Sequence, residues 1–303
     1  MILVAGGSGR LGSLVVRRLA NRGLEVRVLT RERARAAYLV GERIHAVQGD
    51  VRSRGDVASA MAGVETVVSA VHGFAGPGDV TPASVDRDGN ATLIDAAARE
   101  GASVVLMSIV GAAADSPMEL FRMKHAAEQH LRSTGTPATT VRATAFLELW
   151  IDLLVETAGR SGRPLIFGRG NNPINFVSTR DVAALVEVAV TDRATRGTTL
   201  EIGGPENLTF DQLATLVQGA AGRSTKPRHV PRSLLHLMAA LTRGIKPELS
   251  RQARAALVFD TADMTFDSSA IRRRYPGLPC TTAAQLLSGL ATKMADSPEV
   301  RNR

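Results

Sequence analysis

Short apolar runs alternate with amphipathic segments through the first half of the chain. Each run has the length of one buried strand, and the segments between the runs carry apolar residues at helical spacing. The predicted strands are Ile2–Ala5, Glu25–Thr30, Ile44–Gln48, Thr66–Ala70, Val104–Met107 and Thr139–Arg142, and the predicted helices lie near 10–22, 54–62, 86–100 and 118–134. This alternation is typical of an α/β fold with a doubly wound parallel sheet.

The second half of the chain has a less regular pattern. Predicted helices lie near 145–158, 180–190, 210–221, 231–243, 248–258 and 282–294, and short strands are predicted at Leu165–Phe167, Ile174–Val177 and Thr199–Ile202. We therefore expect a nucleotide-binding domain over 1–145 together with parts of 174–202. A smaller mixed C-terminal lobe, for substrate or interaction, is expected over 146–173 and 203–303.

The first predicted strand runs directly into a glycine-rich turn, Gly6-Gly7-Ser8-Gly9-Arg10-Leu11-Gly12. Gly6 permits the tight turn, Gly9 lets the backbone approach a diphosphate, and Gly12 lets the next helix pack against the strand. That helix begins with N–H groups and a positive dipole end facing the phosphates. The strand before the glycines and the helix after them favour a dinucleotide site over a turn without a ligand.

The residues after the second predicted strand indicate which dinucleotide binds. NAD-specific sites carry an acidic residue there, whereas this chain has Thr30 followed by Arg31. A guanidinium at this place would pair with the 2′-phosphate of NADP, so we expect NADP(H) rather than NAD(H). Two alternatives to a 2′-phosphate contact by Arg31 remain: Glu32 binds the ribose hydroxyls, or Arg31 is a solvated surface charge. Ser8 and Arg10 are further candidates for phosphate contacts.

Two later strand ends complete the predicted nucleotide site. Asp50 and Val51 follow the third strand, where a carboxylate would accept a hydrogen bond from the adenine amino group. Asp50 has a second interpretation as the N-cap of the following helix, although Ser53 also fits that position. Ala70 lies at the end of the fourth strand, where small residues leave room for a ring or a ribose.

Composition narrows the class of protein. The chain has 303 residues, 44% of them hydrophobic and 22% charged, as in ordinary globular enzymes. Cys280 is the one cysteine, which excludes an intramolecular disulfide and a cysteine-based metal site. The net charge of +8 is dispersed and aromatic residues make up 4%, which argues against nucleic-acid binding. No metal-site spacing, signal peptide or membrane-length apolar stretch is recognised, so we expect no membrane association and a cytoplasmic location.

Together these motifs resemble the NmrA-like branch of the atypical short-chain dehydrogenase/reductase superfamily. The resemblance covers nearly the whole chain and is carried by the glycine turn, Leu29–Arg31, Gly49–Val51, Val104–Ser108, Met123–Glu128, Arg180–Ala183 and Ile202–Thr209. It implies a Rossmann fold, usually with NADP(H), and a small C-terminal substrate lobe. Members of this group include quinone and enone reductases, isoflavone-reductase-like enzymes and non-catalytic redox-sensing regulators.

The chain departs from the superfamily at its usual Tyr-x-x-x-Lys motif. Lys124 matches the lysine, but Leu120 stands where the tyrosine is expected. The resemblance implies that Lys124 either binds the nicotinamide ribose or serves as the acid/base itself, and a helical ion pair with Glu128 is the structural alternative. Ser108 matches the serine that ends the fifth strand, so Lys124 and Ser108 are the catalytic candidates.

Substrate contacts are expected from His72, Phe74, Phe146, Trp150 and Phe176, which are mostly apolar. Phe146 and Trp150 are four residues apart on one predicted helix face, a pattern that fits core packing equally well. An apolar pocket suits a flat conjugated acceptor that takes hydride and is protonated by water.

Two functions remain open at this point. The first is an NADPH-dependent oxidoreductase that reduces a small apolar carbonyl, enone or quinone-like acceptor. The second is a non-catalytic NADP(H) sensor that acts through a protein partner, which a large exposed apolar patch within 231–258 would favour. A homo-oligomer is compatible with both.

Overall fold

The computed structural model of the chain describes residues 1–288, except the side chain of Arg160. The strands in chain order are β1 (Ile2–Ala5), β2 (Val26–Thr30), β3 (Ile44–Gln48), β4 (Thr66–Ser69), β5 (Ser103–Ile109), β6 (Ala138–Ala143), β7 (Ala145–Phe146), β8 (Leu165–Phe167), β9 (Ile174–Val177), β10 (Thr199–Ile202), β11 (Asn207–Leu208) and β12 (Arg228–Val230).

The α-helices are α1 (Arg10–Asn21), α2 (Arg54–Met61), α3 (Asn90–Glu100), α4 (Glu119–Thr134), α5 (Leu147–Ala158), α6 (Thr179–Thr191), α7 (Phe210–Ala220), α8 (Arg232–Leu241), α9 (Pro247–Phe259) and α10 (Ser269–Arg274). Short 3₁₀ helices cover Arg33–Leu39, Gly159–Ser161 and Arg193–Thr195, and a π-helix covers Pro82–Gly89 directly before α3. Residues 283–288 are helical as well.

The first compact unit comprises Met1–Ala143, Thr179–Ile202 and Ile271–Leu278. Within the described residues its seven strands form one parallel sheet in the order β10-β6-β5-β4-β1-β2-β3. Every residue of β1 and β4 is buried, as expected for parallel strands covered by helices on both faces. The predicted doubly wound parallel sheet is confirmed. Its order reverses between β1 and β4, and ligands bind such folds at the carboxyl ends of the strands near this reversal.

Helix α1 lies directly after the glycine turn and is fixed on two sides. Its buried positions include Val15, Val16 and Leu19, which share one helical face. Its polar side reaches α6, where Glu187 accepts hydrogen bonds from Arg18 and Arg22, each at 2.6 Å. The Glu187 side chain is only 6% exposed, so the two arginines neutralise a carboxylate that burial would otherwise penalise. These contacts hold the C-terminal end of α1 against α6.

The second compact unit comprises Thr144–Ser178, Gly203–Ala270 and the described residues from Pro279 onward. Its strands form a sheet of order β11-β9-β7 and the pair β12-β8. Asn175 is buried at the centre, where its amide oxygen accepts hydrogen bonds from the Gly204 amide at 2.8 Å and the Thr144 hydroxyl at 2.9 Å. This buried amide ties β9 to the chain segments on either side of it.

Several element boundaries differ from the sequence predictions for local reasons. The helix predicted near 86–100 begins earlier as the π-helix, because Thr81 accepts a hydrogen bond from the Ser84 amide and Pro82 follows at the first helical position. Residues 145–146, predicted as helical, pair as β7 with β9. Parts of 174–202 were expected in the first unit: Thr179–Ile202 lies there, whereas strand β9 lies in the second unit. Residues 283–288 of the last helix, predicted near 282–294, are helical, and 289–294 lie outside the described residues.

Candidate functional site

The glycine turn places the N-terminus of α1 at the carboxyl end of β1. Gly6 has φ +79°, and a Cβ there would lie 2.7 Å from the Ala70 carbonyl oxygen, so neither its conformation nor its surroundings accept a side chain. A Cβ on Gly12 would overlap the backbone of Gly6 and Gly7. Gly9 is the N-cap residue; no side chain caps α1, and its first turn has no acidic residue. The positive end of the helix dipole is therefore left for an external anion.

A cavity of about 220 Å³ opens beside this turn. Its lining comes from the turn and from the ends of three further strands: Gly6, Ser8 and Gly9 of the turn, Leu29–Glu32 and Arg35 at and beyond the end of β2, Gly49–Arg52 after β3, Ala70–His72 after β4, and Val80 and Val85. All four strand ends belong to the first unit and face the same edge of the sheet. The cavity therefore occupies the place where this strand order binds ligands.

Among the described residues, one arginine after β2 makes no hydrogen bond or ion pair, although its charge acts on Asp50. The Thr30 hydroxyl lies 3.0 Å from the Ser8 hydroxyl and donates to the Glu32 carbonyl at 3.1 Å, which connects β2 to the glycine turn. Glu32 forms an exposed ion pair with Arg35 at 3.2 Å. Arg31 has no hydrogen bond or ion pair within residues 1–288 and lines the cavity. Its guanidinium is free to accept an anion.

Asp50 lies in the cavity wall, but its carboxylate is already engaged. Both of its oxygens accept hydrogen bonds from the Arg52 guanidinium, the shorter at 2.7 Å, and one also accepts the Arg52 amide at 2.9 Å. These hydrogen bonds hold the pKa of Asp50 below its usual value despite partial burial. Ser53 caps α2 by accepting from the Asp56 amide, so the N-cap alternative for Asp50 is wrong. Contact between Asp50 and adenine stays a prediction.

Lys124 is buried at the base of the strand ends, where it donates two hydrogen bonds and forms one ion pair; the Asp86 oxygen of that ion pair accepts no hydrogen bond from the described residues. Its Nζ donates to the carbonyl oxygens of Val71 and Met107, each at 3.0 Å, and forms an ion pair with Asp86 at 3.0 Å. Asp86 is fully buried and also accepts from the Gly73 amide at 2.8 Å. The predicted alternative of a helical ion pair with Glu128 is therefore wrong. Lys124 instead joins α4, the π-helix and the segment after β4.

Ser108 and Glu128 form a second buried network. The Ser108 hydroxyl donates to Glu128, whose carboxylate also accepts from Arg142 at 2.6 Å and 2.9 Å. Arg142 reaches Glu201 on β10 at 3.2 Å, and these partners raise its pKa. Leu120, where the superfamily tyrosine is expected, lies in the first turn of α4. The proton of Ser108 is thus committed to Glu128.

The predicted substrate residues fall into both units, and each is described within its own. In the first unit His72 lines the cavity and Phe74 is half-buried in the following loop. In the second unit Trp150 packs against Phe210 and Phe259 with ring centroids 4.8 Å and 5.1 Å apart. Phe176, only 3% exposed, meets Trp150 edge-on at 6.5 Å. Trp150 and Phe176 therefore contribute to an aromatic core of the second unit. Phe146 is half-buried on β7.

The cavity gathers part of the predicted cofactor set. Seven of the predicted residues line it: Gly6, Ser8, Gly9, Arg31, Asp50, Val51 and Ala70. Gly7, Leu11 and Gly12 are packed beneath the turn, Arg10 is exposed on α1, and Lys124 is buried behind the cavity wall. The sequence reasoning missed Arg35, Arg52, Val80 and Val85 as lining residues. The spacing Arg31-x-x-x-Arg35 was the available signal for Arg35.

The described part of the chain has neither a metal-binding cluster nor a membrane-spanning helix. Residues 1–288 contain no group of three or more His, Cys, Asp and Glu side chains placed to hold a metal ion. None of their helices has both the length and the apolar character needed to cross a bilayer.

Comparison with known proteins places this geometry in context. An NAD(P)H azoreductase from Xenophilus azovorans is 30% identical over 252 residues, 82% of each chain. A photosystem II assembly factor, Ycf39, from Synechocystis is 26% identical over 249 residues, 80% of this chain and 74% of its own. An NADPH-dependent quinone oxidoreductase from Escherichia coli, solved with NADPH, superposes with a TM-score of 0.77 at 21% identity, covering 96% of this chain and 99% of its own. The latter similarity shows a shared fold.

The family follows from the sequence itself. The model of the NmrA-like family matches residues 1–264, which include the glycine turn, the four strand ends around the cavity and most of the second unit. The chain belongs to the NmrA-like family.

Proposed function

We propose that this protein is an NADPH-dependent oxidoreductase that reduces a small apolar carbonyl, enone or quinone-like acceptor. The observation that carries the proposal is the cavity at the strand ends, with an uncapped helix N-terminus on one side and the unpartnered Arg31 on another. The names of the azoreductase and the quinone oxidoreductase support the same class of reaction.

The residues present fit a dinucleotide. A side chain on Gly6 is excluded by the Ala70 carbonyl, so the turn stays narrow enough for the backbone to approach a diphosphate. The N-terminus of α1 supplies N–H groups and positive potential for that diphosphate. Val51, Ala70, Val80 and Val85 give the cavity apolar walls for an adenosine. We assign the phosphate contacts to the turn and the adenosine contacts to these walls.

We further propose a preference for NADP(H) over NAD(H). Glu32, the alternative partner for ribose hydroxyls, is paired with Arg35, whereas Arg31 has no partner within residues 1–288. A guanidinium binds a phosphate through two parallel hydrogen bonds, and no acceptor among residues 1–288 occupies the donors of Arg31. The 2′-phosphate of NADP therefore supplies the missing partner.

The roles of Lys124 and Ser108 follow from their partners. Bound NADPH supplies a hydride. Lys124 holds the Val71 and Met107 carbonyls and Asp86, so we assign it to shaping the cofactor site rather than to proton delivery. Ser108 donates to Glu128 and fixes the end of β5 against α4. With no tyrosine at position 120, the proton that balances hydride transfer comes from water.

Loss of NADPH absorbance with a panel of para-quinones, enones and azo dyes tests the proposal. We expect turnover with at least one class, and its loss in Gly9→Asp, which places a carboxylate where the diphosphate would lie. Calorimetry with NADPH and NADP⁺ is the accompanying measurement. Binding of neither form below millimolar concentration would overturn the proposal.

A second candidate function has one observation in its favour. Leu234, Leu237 and Leu241 on α8 and Ile245 beyond it are 45–83% exposed and recur at helical spacing. Such a stripe suits a regulator that binds a protein partner, and Ycf39 is an assembly factor by name. Calorimetry separates the two functions: affinities for NADPH and NADP⁺ within about tenfold favour an enzyme that cycles, whereas about a hundredfold difference is large enough to drive a switch.

A further inference from the structure

The buried lysine of the site has its donors directed into the protein. Two hydrogen bonds to strand-end carbonyls and the ion pair with Asp86 surround the Lys124 ammonium, whose side chain is 8% exposed. An ammonium has three N–H donors. Two of these donors are held by the Val71 and Met107 carbonyls, so a ligand oxygen that bound either of them would have to displace a strand-end carbonyl.

The neighbouring imidazole has the opposite arrangement. His72 follows Val71, whose carbonyl Lys124 holds, and its Nδ1 accepts a hydrogen bond from the Phe74 amide at 3.2 Å. A neutral imidazole that accepts at Nδ1 carries its hydrogen on Nε2. Nε2 has no hydrogen-bond partner among residues 1–288, and His72 lines the cavity together with Gly6 and Ala70. The ring thus has a fixed tautomer and an uncommitted donor.

Two charged groups act on this ring, one from each element behind it. His72 is exposed to solvent on one side, but desolvation of its ring by the surrounding protein lowers the pKa of His72. Asp86 on the π-helix opposes this shift, and the positive charge of Lys124 on α4 adds to it. The net effect is a pKa below the usual value of 6.5. At pH 7 the imidazole is therefore neutral and donates only through Nε2.

We propose that His72 donates a hydrogen bond from Nε2 to an oxygen of the bound dinucleotide, with Lys124 and Asp86 as positioning residues for the turn that carries it. This inference rests on the proposed cofactor site and adds a contact that the glycine motif does not predict. The shared lining of His72, Gly6 and Ala70 favours the dinucleotide as the acceptor over the substrate, to which the sequence reasoning assigned His72.

The contact makes cofactor affinity depend on pH in a defined direction. A bound dinucleotide is an anion, which raises the pKa of a nearby imidazole above its value in the free protein. At a pH between the pKa of His72 in the free protein and its pKa in the complex, binding of the dinucleotide is accompanied by protonation of His72. The affinity for the dinucleotide therefore rises as the pH falls through this range. A rise of one unit corresponds to about tenfold tighter binding at the acidic end of the range.

Calorimetric titration of NADPH from pH 5 to 8 tests this proposal with two variants and one control. His72→Gln keeps an N–H donor near Nε2 but does not titrate, so we expect parental affinity at pH 8 and loss of the imidazole contribution below it. His72→Phe lacks the donor, and we expect about fivefold weaker binding at pH 8. His45→Gln removes an exposed imidazole on β3, outside the cavity lining, and should behave like the parent. The 2′-phosphate titrates in every variant and cancels in the comparison.

An NMR titration of the His72 ring tests the positioning residues. Asp86→Asn removes the negative charge that raises the pKa of the imidazole, so the midpoint of His72 should move to lower pH, a shift that a purely structural role would not produce. Parental pH dependence in both His72 variants, with NADPH still bound, would overturn the inference and leave the proposed function intact. Absence of NADPH binding by the parent would overturn both.

Discussion

Arg31→Ala is the most direct test of cofactor choice. Arg31 is exposed just after β2, lines the cavity and has no hydrogen bond or ion pair within residues 1–288. Its removal costs the free protein only a charge interaction with Asp50, the smallest of the causes that lower the pKa of that carboxyl. The variant should therefore unfold at the same temperature as the parent. Any change in affinity then reports the contact with the dinucleotide.

The magnitude follows from the kind of contact and its exposure. A hydrogen bond to a charged group contributes about 1.5–3 kcal/mol, or about ten- to a hundredfold in affinity. Because Arg31 is exposed, solvent and salt screening place the effect near the lower limit. We expect about tenfold weaker binding of NADPH, a change below about twofold for NADH, and a smaller NADPH effect at 0.5 M salt.

Parallel calorimetry of both reduced dinucleotides gives the measurement. Arg99→Ala, an exposed arginine on α3 outside the cavity lining, removes the same net charge and should leave both affinities unchanged. Equal losses for NADPH and NADH in Arg31→Ala would refute the 2′-phosphate contact. A loss shared by Arg99→Ala would attribute the effect to net charge alone.

Three further changes probe the scaffold of the site. Gly12→Ala should lower the free energy of unfolding by about 1–3 kcal/mol, because the new methyl group would overlap backbone atoms. Gly219→Ala on α7 places its methyl group in open space and should raise the free energy of unfolding by about 0.5–1 kcal/mol. Thermal melts that rank the two variants in the opposite order would contradict this packing argument. Glu128→Gln strips the buried partner from Arg142, and urea unfolding should show a loss of about 3 kcal/mol. Because the pKa of Asp50 is lowered in the folded protein, ionised Asp50 stabilises the fold above pH 3.8, and this stabilisation is lost as the pH falls through the lowered pKa. Asp50→Asn should therefore lose less stability than the parent when the solution is acidified. Identical acid unfolding transitions for the two proteins would contradict this expectation.

The central strands were predictable because they are buried on both faces: Ile2–Ala5 is a continuous apolar run whose observed limits agree with the prediction. Ile44–Gln48 lies at the edge of the sheet and is partly exposed, and its limits also agree with the prediction. The strands β7, β11 and β12 have two or three residues each, too few for alternation to show. They are defined by their partners in the fold, which a local pattern does not contain.

The polar networks of the site could not be predicted from local sequence patterns for the same reason. Helical spacing pairs Lys124 with Glu128, but the structure pairs Lys124 with Asp86, 38 positions earlier in the chain. Asp86 is followed by the charged residues Arg87 and Asp88 and has the sequence context of a surface residue, yet it is fully buried. The glycine turn was predictable because its chemistry is confined to consecutive residues, whereas charge partners across elements depend on the completed sheet.

The position of β10 at the edge of the large sheet has a consequence for biosynthesis. Thr199–Ile202 pairs with β6, but the chain reaches it only after residues 144–178 of the second unit have been made. Until then β6 is an open edge whose N–H and C=O groups attract other extended chains. A nascent chain that stalls on the ribosome between residues 143 and 199 therefore carries an aggregation-prone edge.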